Sequence, residues 1–197
     1  MSDPKAIVVI DGHPDPTPDH FCHALADAYC KGAESAAHQV SLIRVADLDF
    51  PLLRSAKAFS KDPSPESLRP ARDAILAADH VVIVFPLWLG SMPALLKGFL
   101  EQVFHKDTAF EDTGPNEFPK GRLKGKSARV IATMGMPGLV YRLWFRAHGL
   151  KALERNILKF IGFKPVRDTV FGMVEMVSDQ RRRKWLGKVE ALGRRAA

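Results

Sequence analysis

Two hydrophobic periods alternate along this chain. Short apolar, β-branched runs fall at 6–10, 40–45, 80–85, 128–133 and 166–172, and those at 6–10 and 81–85 are unbroken. Unbroken apolar runs of this length suit strands covered on both faces. Between and after them the spacing changes to that of amphipathic helices, over about 19–36, 65–78, 93–105, 148–161 and 178–194. Strand and helix in regular alternation predict parallel βαβ units. Five strands then fit an α/β doubly wound three-layer sandwich with a five-stranded parallel sheet of order 2-1-3-4-5. Ser64-Pro65 and Ser91 with Pro93 look like helix starts, a capping hydroxyl followed by proline in the first turn.

Two stretches, 50–64 and 106–126, have neither period, and long irregular segments in a small domain are often functional. Leu95, Leu96, Phe99, Leu100, Val103 and Phe104 make a wide apolar stripe on the helix before the second stretch. Such a stripe belongs either to the deep core or to a subunit interface.

At 197 residues the chain fits one domain, 1–197, and its 46% hydrophobic and 26% charged residues are ordinary for a globular protein. The net charge of +7 is concentrated in 120–126, 142–151 and 181–184. No nucleic-acid motif accompanies these runs, so no nucleic-acid partner is expected. No apolar run approaches the ~20 residues needed to cross a bilayer, so no membrane insertion is expected. The first residues lack a secretory pattern, and Cys22 and Cys30 have no metal or redox spacing. A cytoplasmic chain is the expectation.

Candidate chemistry gathers where strands end. After the first strand come Asp11-Gly12-His13-Pro14 and a helix start at Asp19-His20-Phe21-Cys22-His23. A helix N-terminus offers free N–H groups and a positive dipole to a phosphate, with His13, His20 and Thr17 beside it. Asp19 can equally cap that helix and repel an anion. His20 and His23 share a helix face, but no further ligand completes a metal set, and no metal is expected. After the third strand, Pro86-Leu87-Trp88-Leu89 forms an aromatic loop suited to a flat, stacking ligand. After the fourth, Thr133-Met134-Gly135-Met136 permits close backbone approach, and Tyr141 and His148 are residue types that can protonate a substrate oxygen. Arg142 and Arg146, four apart, are candidates for a 2′-phosphate. A G-x-G-x-x-G turn, a Walker loop, a G-x-S-x-G elbow and H-E-x-x-H are all absent from the sequence.

Taken together, Gly12-His13-Pro14 with Phe21 and Ala24-Leu25, Phe85-Pro86-Leu87-Trp88 with Pro93 to Gly98, and Thr133-Met134-Gly135 with Tyr141 resemble the flavodoxin-like NAD(P)H:quinone oxidoreductases. The family includes the DT-diaphorase-like enzymes and their bacterial relatives. The resemblance covers about residues 5–175 and implies a flavin, FMN or alternatively FAD, in a homodimer with active sites at the interface. It implies that NADH or NADPH reduces the flavin and that a quinone or similar planar acceptor reoxidises it. His13, Thr17, His20, Phe21 and Cys22 match its phosphate segment, Pro86, Leu87, Trp88 and Leu89 its loop at the isoalloxazine edge, and Thr133 to Met136 its second flavin loop. Tyr141 and His148 match the catalytic pair, and Phe110 the aromatic that a partner subunit lays over the flavin; Trp88 and Tyr141 also face the substrate. The sequence departs from the family at His20-Phe21-Cys22, where Ser-Phe-Asn is usual, and the spacing from Tyr141 to His148 is one residue longer. Two alternatives remain: a flavodoxin-type electron carrier, and an ancillary subunit of a potassium-efflux system.

Overall fold

The five apolar runs form one parallel sheet. The computed structural model describes residues 3–60, 62–111 and 117–197. Its strands are β1 (Ala6–Asp11), β2 (Gln39–Arg44), β3 (His80–Pro86), β4 (Ser127–Met134) and β5 (Val166–Gly172). Their order is β2-β1-β3-β4-β5, all parallel. The strand period of two distributes side chains to opposite layers. Val8, Ile10, Val81, Ile83 and Phe85 point into one core cluster, and Ile7, Val9, Val82 and Val84 into the other. Both faces are therefore covered, which is why the central strands read as continuous apolar runs.

On the second face lie α1 (Phe21–Glu34) and α8 (Asp179–Arg194), which pack on each other at backbone distance. A Cβ on Gly32 would stand 2.0 Å from the Glu190 carbonyl oxygen, and one on Gly193 2.2 Å from that of Tyr29. The other face carries α3 (Arg69–Ala77), α4 (Ala94–Val103) and α7 (His148–Lys151), which widens into a π-helical segment, Ala152–Lys159. Short helices α2 (Ala56–Ser60), α5 (Lys106–Ala109) and α6 (Gly138–Leu143) occupy segments with no legible period.

Several local expectations are corrected. Ser64 caps nothing; its hydroxyl donates to the Gln102 carbonyl, and α3 starts only after a 3₁₀ turn, with Pro70 in its first turn. Ser91 does not cap α4 either. Its backbone closes a hairpin on Trp88, and Pro93 becomes the residue before the helix. Leu96, Phe99, Leu100, Val103 and Phe104 are buried within the single chain, so the apolar stripe is core and needs no second subunit to cover it.

His80 begins β3 in the core, with Nδ1 2.7 Å from the Ser127 hydroxyl and Nε2 buried without a partner. Burial, reinforced by the Arg129 charge, pushes its pKa down to about 4. Between that value and the ordinary histidine pKa, the unfolded chain takes up a proton that the native chain refuses. Stability is then expected to fall by about 2 kcal/mol between pH ~7 and pH ~5 on account of this residue. Urea titrations of the wild type and His80→Leu at the two pH values check it; the wild type must show the steeper loss.

Candidate active site

The order of the sheet puts β1 beside β3, with the chain leaving β1 for one face and β3 for the other. This is the switch point where open α/β sheets leave a crevice at their carboxyl ends. A cavity of ≈ 700 Å³ fills that crevice, within the range that takes a small organic ligand. His13 follows β1, Pro86 and Trp88 close β3, Thr133 ends β4, and Val174 and Glu175 follow β5. His20, Phe21 and Cys22 enter from the start of α1, and Arg182 from the first turn of α8.

The loop between β1 and α1 is held by a buried polar network. Asp11, fully buried, meets His23 Nδ1 at 2.5 Å and accepts from Arg44 at 2.8 Å. His23 Nε2 lies 3.0 Å from the Asp15 carbonyl oxygen. His13 stacks on His20 with ring centroids 3.8 Å apart, and the Trp88 ring meets His13 edge-on at 5.9 Å. Burial, with the neighbouring histidines, lowers the His13 pKa. His13 Nδ1 lies 3.2 Å from both the Asp15 amide and the Asp15 carbonyl oxygen.

Asp15 is the acid beside His20, and its charge is already committed. Its carboxylate accepts from the Thr17 amide at 2.9 Å and the Thr17 hydroxyl at 2.8 Å, and lies 3.0 Å from His20 Nε2. The Thr17 amide, then His20, hold its pKa down at about 2. Asp19 does not cap α1. His20 occupies that position, no side chain caps the helix, and no acid stands in its first turn. The positive end of a four-turn helix thus opens on the cavity. Arg182 lines the same cavity, braced by the Val174 carbonyl at 2.9 Å and Asp179 at 2.8 Å. The cavity wall thus combines a helix N-terminus and Arg182, which suit a phosphate, with Pro86 and Trp88, which suit a flat ring; Asp15, Asp19 and Glu175 also border it. The residues present fit a flavin nucleotide.

Trp88 is aimed by a two-residue hairpin in which Trp88 and Ser91 exchange both backbone hydrogen bonds. Leu89 and Gly90 have φ of 47° and 81°, the pattern of a type I′ turn. Leu89 points fully into solvent. Beneath the hairpin lies Tyr141, buried, whose hydroxyl donates to the Gly90 carbonyl at 3.3 Å and accepts from the Leu150 amide at 3.1 Å. Burial raises its pKa. His148 is exposed at the start of α7, one residue from Gly149, which packs against Gly90 and Ser91 with no room for a Cβ.

The family profile described as Flavodoxin_2, flavodoxin-like fold, matches residues 5–192. The chain belongs to the Flavodoxin_2 family. Among curated relatives, an "Uncharacterized NAD(P)H oxidoreductase" of Haemophilus influenzae is 29% identical over 120 residues, which are 60% of this chain and 58% of that protein. The mouse protein named ribosyldihydronicotinamide dehydrogenase (quinone) is 28% identical over 139 residues, 68% of this chain and 59% of its own. The chain therefore spans under two thirds of these relatives. Among solved structures, Smu.1420 from Streptococcus mutans superposes with a TM-score of 0.80 at 29% identity, covering 96% of this chain and 98% of that one. The NAD(P)H:quinone oxidoreductase from Methanothermobacter marburgensis shares the fold at a TM-score of 0.82 and 19% identity, covering 98% and 96%.

In this Flavodoxin_2 chain, His13, His20, Phe21, Cys22, Pro86, Trp88 and Thr133 line one cavity. Thr17 stands outside its wall, bonded to Asp15 and 3.0 Å from His20. Leu87 and Leu89 flank Trp88; Met134 and Met136 accept from the Val174 and Met173 amides, with Gly135 exposed between them. Phe110 lies apart, against Phe160 at 5.2 Å in a smaller apolar hollow with Phe59 and Phe104. Arg182 was missed by sequence reasoning. It sits in a run of four basic residues that reads as a solvated helix face, and only the turn after β5 decides which of them faces inward.

Proposed function

We propose that this protein is a flavin-dependent NAD(P)H:quinone oxidoreductase that binds FMN. The reading rests on one observation: an uncapped helix N-terminus and Arg182 line the same cavity as Pro86 and Trp88. A bound flavin takes a hydride from a nicotinamide and passes two electrons to a planar acceptor. The free N–H groups at the start of α1, with Arg182 and the stacked imidazoles of His13 and His20, hold the phosphate. Pro86, Leu87, Trp88 and Leu89 bound one edge of the ring, and the segment Thr133 to Met136 offers backbone N–H groups at the other. Tyr141 fixes the hairpin and the start of α7, and shares with His148 the delivery of a proton to the acceptor oxygen. NADH and NADPH are both donors in this reading.

A homodimer belongs to the same reading. Phe110 lies in a hollow separate from the cavity, so it covers a ligand only by reaching one in a second copy. An electron carrier would need a protein partner for turnover; steady-state NADPH oxidation by a small quinone without one separates the two readings.

Purified protein is expected to carry one flavin per chain, identified by mass spectrometry after release. Replacing Arg182 by alanine should raise the dissociation constant for FMN about ten- to hundred-fold, the worth of one charge-assisted contact. Flavin fluorescence titration measures it. A protein that takes up neither FMN nor FAD overturns the proposal.

A further inference from the structure

Exposed apolar side chains are concentrated on α6 and the turn that follows it. Leu139, Leu143 and Trp144 are 68%, 71% and 82% exposed, with Val140 and Phe145 beside them. Leu139, Val140, Leu143 and Trp144 border a shallow hollow of ≈ 360 Å³. A surface helix normally turns polar residues to solvent and apolar ones inward. Here only Tyr141 turns inward. Arg146 and Ala147 then adopt φ of 52° and 51°, two successive left-handed residues without glycine. That conformation costs about 1–2 kcal/mol per residue in an L-amino acid. The chain accepts this strain in the turn that keeps Phe145 and Arg146 outside.

The sequence that carries the patch is mostly basic. Residues 138–160 contain Arg142, Arg146, Lys151, Arg155 and Lys159 against a single acid, Glu154. Glu154 has one carboxyl oxygen buried without a partner, and burial raises its pKa. Arg142 is paired with Asp168, which leaves Arg146, next to Phe145, as the cation nearest the apolar tip. Trp and Leu interleaved with Arg on a short surface helix match the chemistry of the lipid headgroup boundary. No helix among the described residues is long and apolar enough to cross a membrane, so the contact is with one leaflet.

We propose that α6 and the following turn dock on an anionic lipid bilayer. Leu139, Leu143, Trp144 and Phe145 enter the headgroup boundary, and Arg146 and its neighbouring cations meet lipid phosphates. The patch is tied to the cavity mouth. Tyr141 of α6 bonds to Gly90, and Gly149 packs on Gly90 and Ser91, in the hairpin that presents Trp88 and the exposed Leu89. Docking therefore sets that hairpin against the lipid, where apolar acceptors dissolve. This last consequence rests on the function proposed above; the docking does not.

The test is flotation of the purified, flavin-loaded protein with vesicles of phosphatidylglycerol and phosphatidylcholine, compared with phosphatidylcholine alone. Binding should require the anionic lipid and weaken with salt. The double variant Leu143→Gln, Trp144→Gln should bind about ten-fold more weakly or worse, with an unchanged circular dichroism spectrum. If that variant misfolds, the single reversal Arg146→Glu decides, and undiminished flotation by it overturns the proposal. Failure to float with anionic vesicles, or a double variant that floats like the wild type, also overturns it. So does a double variant whose sedimentation mass is lower than the wild type's without lipid, because the patch then joins two copies of this chain. None of these readouts needs turnover, so an inactive enzyme that floats leaves the docking standing and removes only the function.

Discussion

Gly32→Ala should cost about 3 kcal/mol of stability or more, whereas Gly187→Ala should be neutral or add up to about 1 kcal/mol. The two glycines differ in what their missing side chains would meet. A Cβ on Gly32 falls 2.0 Å from the Glu190 carbonyl oxygen and 2.9 Å from its Cα, while one on Gly187 meets nothing within 4 Å. Backbone cannot rotate away as a side chain can, so the first substitution must push α8 off α1. The second only removes the entropy that glycine carries in a helix. The effect reaches the cavity, because α1 supplies its open N-terminus and α8 its arginine. FMN affinity should accordingly fall with Gly32→Ala and hold with Gly187→Ala. Urea midpoints and flavin titrations of both variants check this; equal midpoints would mean that the helices can separate freely.

Tyr141→Phe should lower quinone turnover about 10²-fold while flavin stays bound. The same substitution strips the buried Leu150 amide of its acceptor and the Gly90 carbonyl of its donor. An unpaired buried amide costs about 1–3 kcal/mol, so the melting temperature should drop as well. Single-turnover measurements separate the two consequences. Reduction by NADPH should stay near the wild-type rate, and reoxidation by quinone should slow. A lower melting temperature with both half-reactions unchanged would make Tyr141 a tether between the hairpin and α7 and nothing more, leaving His148 as the proton donor.

The central strands were legible because burial on both faces leaves short, continuous apolar runs. Val81 to Phe85 has no polar position, and its neighbours in the sheet are β1 and β4, as the alternation of periods implies. The cavity was legible where its wall follows a strand end, at His13, Pro86, Trp88 and Thr133. It was illegible where the wall comes from far along the chain, since residues 13 and 182 meet only through the packing of α1 on α8. Helix α6 is too short to show a period, and its outward side chains are apolar, which reads as core. The stripe on α4 shows the opposite ambiguity: apolar pattern alone could not separate core from interface, and the packing in one chain placed it in the core.

The two cysteines are the chain's softest nucleophiles. Both thiols are buried, and desolvation pushes each pKa up to about 12; Cys22, in the cavity wall, lies 3.2 Å from the Thr133 hydroxyl. Quinones are electrophiles that add to thiolates, and only the thiolate reacts at a useful rate. A catalyst that meets such compounds at every cycle risks arylating itself. On the function proposed above, a buried and protonated Cys22 in the cavity wall would be guarded against such self-inactivation.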